Sequence, residues 1–289
     1  MTAIATRHPA RLATETMWSP PTDGSRGVRE MEITPAFAKH LLAFNTHNRN
    51  YRERLATKYA RDMAAGRWMF NTDGIGFDVH GRLTSGQHRL HAIIIANVPI
   101  RFLVAWGLHP DTRYVTDIGS TQKASDMFTL KGKKNVIILG SCLRMLARWD
   151  NESGLAMSRS PASNAELDAL LTANPDVEDA VSFVIGDRDI RNLTAASVLA
   201  FAYLLFSRID QPCAAEFFHT MATGANLTNS DPRLILARQL RNIGSRGSAS
   251  ASSQRVVLAY VIKAWNAWRN GETPKLFRWV PNEPFPIPH

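Results

Sequence analysis

Residues 81–91 read Gly-Arg-Leu-Thr-Ser-Gly-Gln-His-Arg-Leu-His, and the fold of the N-terminal half turns on how they are parsed. Just upstream, Ile-Gly-Phe-Asp-Val (75–79) has the β-branched and aromatic content of a strand, and His80-Gly81 supplies a turn. Downstream, a helix is expected over 90–96, stopped by Asn97-Val98-Pro99. A second strand, Ile-Arg-Phe-Leu-Val-Ala-Trp (100–106), is almost wholly apolar and therefore reads as buried. Strand, Ser-Gly turn and helix start together present free backbone N–H groups at the positive end of a helix dipole, which is the chemistry of an anion site. Gly86 allows close approach of the backbone to a phosphate, Arg89 offers a planar two-pronged donor, and His88 a further donor. The same residues also suit an ordinary capped, salt-bridged helix start, and the pattern alone leaves both readings open.

Upstream of the turn, Thr34-Pro35 marks a helix N-terminus, with Phe37, Leu41, Leu42 and Phe44 at helical spacing. A polar break over 45–50 (Asn-Thr-His-Asn-Arg-Asn) separates it from a second helix carrying Leu55, Tyr59 and Met63, with Gly66 as its C-cap. A second polar segment, Asp-Ile-Gly-Ser-Thr-Gln-Lys (117–123), precedes another helix from about Ala124. Beyond Lys-Gly-Lys-Lys (131–134) only helical periodicity remains, over 135–149, 163–173, 175–185, 193–208, 211–223, 231–243 and 252–270. The expectation is an α+β protein with a loop-rich arm over 1–30, a small α/β domain over 31–134 and an all-helical domain over 135–289.

Near-average composition over 289 residues, 45% apolar and 20% charged, excludes a disordered, collagen-like or disulfide-scaffold chain. The formal net charge is +9. Residues 1–134 hold 19 Lys and Arg against 11 Asp and Glu, and the rest 15 against 14, so an anionic partner is sought in the N-terminal half. Cys142 and Cys213, without CxxC spacing, fit a reducing compartment and no structural zinc. The longest apolar run, 193–206, is too short to span a bilayer, and the first residues lack a signal-peptide core, so a cytoplasmic protein without a membrane partner is expected.

GRLTSGQHRLHAI resembles the DGQHR element of the ParB/sulfiredoxin superfamily, especially phage and prophage ParB-like proteins. The resemblance covers about residues 31–130. It includes an Asn-x-x-Asn-Arg element (45–49), a Met-x-x-Gly-x-Trp element (63–68) and an Asp-x-Gly segment (117–119) with a downstream Asp126, in the family's order. It implies a small ParB/sulfiredoxin-like domain in which Ser85, Gly86, Gln87, His88 and Arg89 line a phosphate-binding turn. Asn45, Asn48 and Arg49 would form the opposite wall, and Asp117, Gly119, Thr121 and Asp126 would close the cleft. The implied ligand is ATP or CTP with Mg²⁺, the metal near Asp117, and the implied chemistry is phosphoryl transfer or NTP hydrolysis in DNA metabolism. Asp117, His88 and Arg89 are the candidate catalytic residues. Gln87 stands where sulfiredoxins carry their nucleophilic Cys and about where partition ParB proteins carry a metal-holding Glu, which speaks against sulfinate repair.

Alternatives remain at this level. Asp117 also reads as a turn residue, Asp126 as a first-turn dipole complement, and Trp68 as core. Trp265, Trp268 and Trp279, interleaved with basic residues, read either as a stacking surface for nucleic acid or, for Trp265 and Trp268, as a core stripe. Arg233, Arg238, Arg241, Arg246 and Arg255 are candidate phosphate contacts to DNA. The alternative function is therefore a non-catalytic DNA-binding or adaptor protein. A ParB-like nuclease finds no compact set of carboxylates and histidines in the sequence.

Overall fold

The computed structural model describes residues 17–46, 50–114, 123–150, 153–155, 161–244 and 251–289. The chain forms two compact units, Met1–Ser120 and Thr121–His289. Together they are mixed α+β, with one four-stranded sheet in the first unit.

In the first unit, β1 (Gly27–Ile33) is followed by α1 (Pro35–Leu42), α2 (Glu53–Ala64), β2 (Ile75–Asp78), β3 (Leu83–Ser85), α3 (Gln87–Ala96), β4 (Ile100–Leu108) and a 3-10 turn, Pro110–Tyr114. The sheet order is β1-β4-β2-β3. β2 runs parallel to β4, and the other two pairs are antiparallel. Helix α3 bridges the parallel pair and packs against α1 and α2. Ile33, Phe77, Leu83, Leu90, Ile93 and Val104 are buried between helices and sheet, each stabilising the fold by about 1.5–3 kcal/mol.

Three sequence expectations change here. The loop-rich arm ends earlier, because residues 27–33 form the edge strand β1. Its Met31 and Ile33 are buried while Glu30 and Glu32 are exposed and pair with Arg101 across the strands. Period-2 alternation is present, but the charged outer face hides it. Trp18, also assigned to the arm, packs its ring on Phe77 and Trp106 at 5.8 and 5.7 Å. Residues 83–85, read as loop, pair with β2, and α3 starts at Gln87 rather than Leu90.

The β2–β3 turn is locked by Asp78, whose carboxylate is fully buried. It accepts from the backbone N–H of His80 and Arg82, both at 2.9 Å, and from Arg82 Nε at 2.8 Å. Burial works to raise the Asp78 carboxyl, but the hydrogen bonds from Arg82 and His80 outweigh it and hold it below the usual carboxylate range.

The second unit comprises α4 (Ala124–Leu130), α5 (Val136–Leu146), a two-residue ladder of β5 (Trp149–Asp150) with β6 (Gly154–Leu155), α6 (Asn164–Ala173), α7 (Asp176–Gly186), α8 (Arg188–Arg191), α9 (Ala196–Thr223), α10 (Pro232–Gly244) and α11 (Ala251–Arg269). The expected separate helices at 193–208 and 211–223 form the two arms of α9, kinked at Asp210 (φ −157°, ψ 97°) ahead of Pro212. Asp210 Oδ1 accepts the Cys213 N–H at 3.0 Å and so caps the second arm. Ser163 and Glu166 form a reciprocal capping box at α6.

Trp265 is fully buried and stacks on Phe206 at 4.4 Å, with Phe217 and Trp268 beside it. Trp279 is buried too, under the guanidinium of Arg255. The aromatic series is thus core rather than a stacking surface. Cys142 and Cys213 lie in α5 and α9 without a disulfide, and burial pushes the Cys142 thiol up to about 12.

The unit boundary also redistributes charge. Residues 1–120 contain 15 Lys and Arg against 10 Asp and Glu, and residues 121–289 contain 19 against 15. The excess is therefore +5 and +4, because Lys123, Lys131, Lys133 and Lys134 belong with the helices. Lys131 and Lys133 there pair with Asp168 and Glu178. Among the described residues, no helix is long and apolar enough to cross a membrane.

Candidate functional site

The 85–89 turn is built by Gly86. Its φ of +104° lies in the left-handed region, and a Cβ there would stand 2.9 Å from Ile75 Cγ1 and 3.2 Å from Ile75 Cα. Both conformation and space therefore demand glycine. Being glycine, it brings no side-chain cap to α3, whose first helical bond runs from Leu90 N to the Gly86 carbonyl at 3.0 Å.

The next three residues are polar, and all are buried: Gln87, His88 and Arg89 are 4%, 5% and 9% exposed. Burying such groups is costly unless they are hydrogen-bonded, and each reaches a distant part of the unit. Gln87 Oε1 accepts from Asn45 Nδ2 at 3.2 Å. His88 Nε2 accepts the Arg52 backbone N–H at 3.0 Å. Arg89 Nη2 donates to the Gly74 carbonyl at 2.8 Å and to Ser85 Oγ at 3.3 Å, while Nη1 stands 3.9 Å from Asp73.

These bonds refine the roles expected of the turn. With Nε2 accepting the Arg52 N–H, that ring nitrogen of His88 holds backbone instead of donating to a phosphate. Arg89 ties α3 to the segment before β2, so part of its fork holds the fold together. Among the described residues, Asn45 Oδ1 and Arg89 Nε have no hydrogen-bond partner although both atoms are buried.

Tyr51 was not legible as part of this cluster. Its half-exposed ring lies 4.4 Å from that of His91 and stacks on that of His88 at 5.8 Å. Desolvation, with the charge of Glu53 behind it, raises the Tyr51 hydroxyl above its ordinary value, and burial lowers His91. An aromatic closing the 45–50 polar break is the one sequence signal that could have found it.

Asp126 occupies the first turn of α4 in the second unit, where Oδ2 accepts the Lys123 N–H at 2.9 Å, as expected of a dipole complement. Trp68 is half-buried against Tyr59 and Phe102. Asn48, Arg49, Asp117, Gly119 and Thr121 lie outside the described residues. Among the described residues no group of three or more His, Cys, Asp and Glu could hold a metal ion. No family model, curated protein or solved structure matches the chain.

Proposed function

We propose that the first unit binds a nucleoside triphosphate, ATP or CTP, with its phosphates on the 85–89 turn. This is what the resemblance to phage-type ParB-like proteins of the ParB/sulfiredoxin superfamily implies, with NTP hydrolysis or phosphoryl transfer in DNA metabolism as the use. The reading rests on the backbone at Gly86, left-handed and packed on Ile75 with no room for a Cβ, at a helix start that no side chain caps. Two buried atoms without a partner among the described residues, Asn45 Oδ1 and Arg89 Nε, support it. The described residues alone do not make a Mg²⁺ site: Asn45 and Gln87 offer neutral oxygens. The carboxylate that the resemblance assigns to the metal, Asp117, lies outside the described residues.

A second reading, a nucleotide- or phosphate-holding adaptor without catalysis, is favoured by one observation. The two described residues assigned to charge stabilisation, His88 and Arg89, are engaged in holding the backbone of Arg52 and Gly74.

Thermal melts with ATP, CTP and GTP, each with and without Mg²⁺, test both readings. A triphosphate at about a hundred times its Kd should stabilise the fold by about 2.7 kcal/mol. Gln87→Glu, which keeps the acceptor for Asn45 but adds a negative charge, should abolish that gain. No stabilisation by any triphosphate overturns the nucleotide reading. Release of inorganic phosphate separates the enzyme from the adaptor.

A further inference from the structure

The five arginines that follow one another from 233 to 255 form one basic run in the sequence, and the structure gives them different work. Arg233 is half-buried against Asp231 and Glu216, with its guanidinium 4.9 Å from the centre of the Trp268 ring. Arg241 donates to the Ala222 carbonyl, and Arg255 to the Leu155 carbonyl, its guanidinium lying over the Trp279 and Phe285 rings. Arg246 lies outside the described residues. Arg238 alone of the described four lines an open groove, of about 600 Å³, between residues 229–230, α10 and residues 273–276.

Lys275 lines the same groove, and no Asp or Glu does. The acidic residues closest in sequence are engaged: Asp231 with Arg233, and Glu272 with Asn270. Among the described residues Lys275 has no ion pair, and Arg238 makes a single hydrogen bond, from Nη2 to Asn229 Oδ1 at 2.9 Å. That bond orients the guanidinium while leaving most of its donors unused. Two cations sharing one concavity repel each other, and an anion between them relieves the repulsion.

The rest of the lining limits what that anion is. Ile235 and Leu276 add apolar surface, and Asn242 a side-chain amide. One wall is held firmly, because Gln239 both donates to the Phe277 carbonyl (3.1 Å) and accepts its N–H (2.9 Å). At about 600 Å³ the groove falls within the range of small-molecule sites, roughly 300–1,000 Å³, and is far larger than a lone phosphate ion needs.

We propose that this groove binds a phosphate ester, the phosphoryl oxygens held by Arg238 and Lys275 and the organic body resting on Ile235 and Leu276. The ester is either a free mononucleotide-like phosphomonoester or one phosphodiester of a nucleic-acid strand. No residue of the 85–89 turn takes part, so this site stands or falls independently of the triphosphate reading.

The test is residue-resolved NMR on the ¹⁵N-labelled full chain, following the side-chain amides of Asn229, Gln239 and Asn242, with the Gln87 amide reporting separately on the first unit. Inorganic phosphate, adenosine monophosphate and a short oligothymidylate are titrated into the wild type and the Arg238→Gln/Lys275→Gln variant. Both substituted side chains are exposed, and the unperturbed remainder of the spectrum verifies the variant's fold.

Saturable shifts at the groove amides are expected with one of the two esters, weakened about tenfold or more in the double variant through loss of two charge-assisted contacts. Binding of the monophosphate assigns a free ester. Binding of the oligonucleotide alone, falling steeply with salt, assigns the strand backbone. The proposal is overturned if no probe shifts these amides or if the double variant binds equally well. Inorganic phosphate binding as tightly as the esters removes the role given to Ile235 and Leu276.

Discussion

The two units bury polar groups in opposite proportions. Asp62, Asp78, Thr84, Gln87, His88 and Arg89 are buried in the first, while the second contributes Ser163 and Ser197 to the same class. In the helical unit Ser163 caps α6 and takes part in a reciprocal box. Among the described residues, four buried side-chain atoms of the first unit, Asn45 Oδ1, Arg89 Nε, Trp68 Nε1 and Trp106 Nε1, lack hydrogen-bond partners, against Arg255 Nε in the other. A buried polar group left unpaired costs about 1–3 kcal/mol. Two of these four atoms, on Asn45 and Arg89, belong to the side-chain cluster of the 85–89 turn. The helical unit, by contrast, is built from aromatic and aliphatic packing, and its polar interest lies in the surface groove at Arg238 and Lys275.

The contrast can be broken most forcefully in the helical core. Trp265→Ala should cost about 3–5 kcal/mol, since the ring is fully buried and stacked on Phe206. Urea denaturation measures it, and a loss below about 1 kcal/mol would show that the core repacks freely.

In the first unit, Asp78→Asn should cost about 2–3 kcal/mol at pH 7, because the turn loses its buried charge-assisted bonds to Arg82. The folded carboxyl is held below its unfolded value. Its contribution is therefore complete above about pH 4–5 and is lost as the pH falls through the folded value, so wild type and variant should converge in acid. Denaturation midpoints of both proteins across that range decide the matter.

Gly86→Ala combines a left-handed φ with a contact on Ile75 and should cost about 1–3 kcal/mol in a thermal melt. A smaller effect tests the contrast itself. Asn45→Ala together with Gln87→Met removes both partners of a part-buried hydrogen bond and one orphan oxygen. It should leave stability within about 1 kcal/mol of wild type, or raise it, while abolishing triphosphate binding. A large loss of stability would assign the pair to the scaffold instead. Smallest of all, Arg101→Gln, which removes two exposed cross-strand pairs on β1, should change stability by no more than about 0.5 kcal/mol.

How much of this was legible follows from range. Helices were, because their signals are local: Thr34-Pro35 opens α1, and the apolar spacing of 252–270 finds α11 within a residue at each end. Strand β1 was missed because Glu30 and Glu32 occupy its outer face, Arg29 is exposed on the face of Met31 and Ile33, and a strand's partner is not written beside it. Strand β3 was missed because three residues are too few to show a period. The 85–89 turn was legible as a helix start with polar residues. That those residues are buried, and that His88 accepts rather than donates at Nε2, was not.

By itself the sequence determined the class: a mixed α+β chain with an α/β first half, mainly helices thereafter but without the β5–β6 ladder that interrupts the expected all-helical 135–289, a glycine-dependent turn before a helix, and an aromatic series at α11 that read either as core or as a stacking surface. Tertiary structure alone decided which polar residues pay for burial. Asn45 and Gln87 are 42 positions apart, Arg52 and His88 are 36 apart, and Arg89 reaches back 15 to Gly74. It also decided which arginine of a uniform run lines a groove and which are consumed by carboxylates and rings. The physical reason is common to both. Propensity and periodicity act over a few neighbouring residues, whereas the free energy of a buried or shared charge is set by whatever distant groups the fold brings to it.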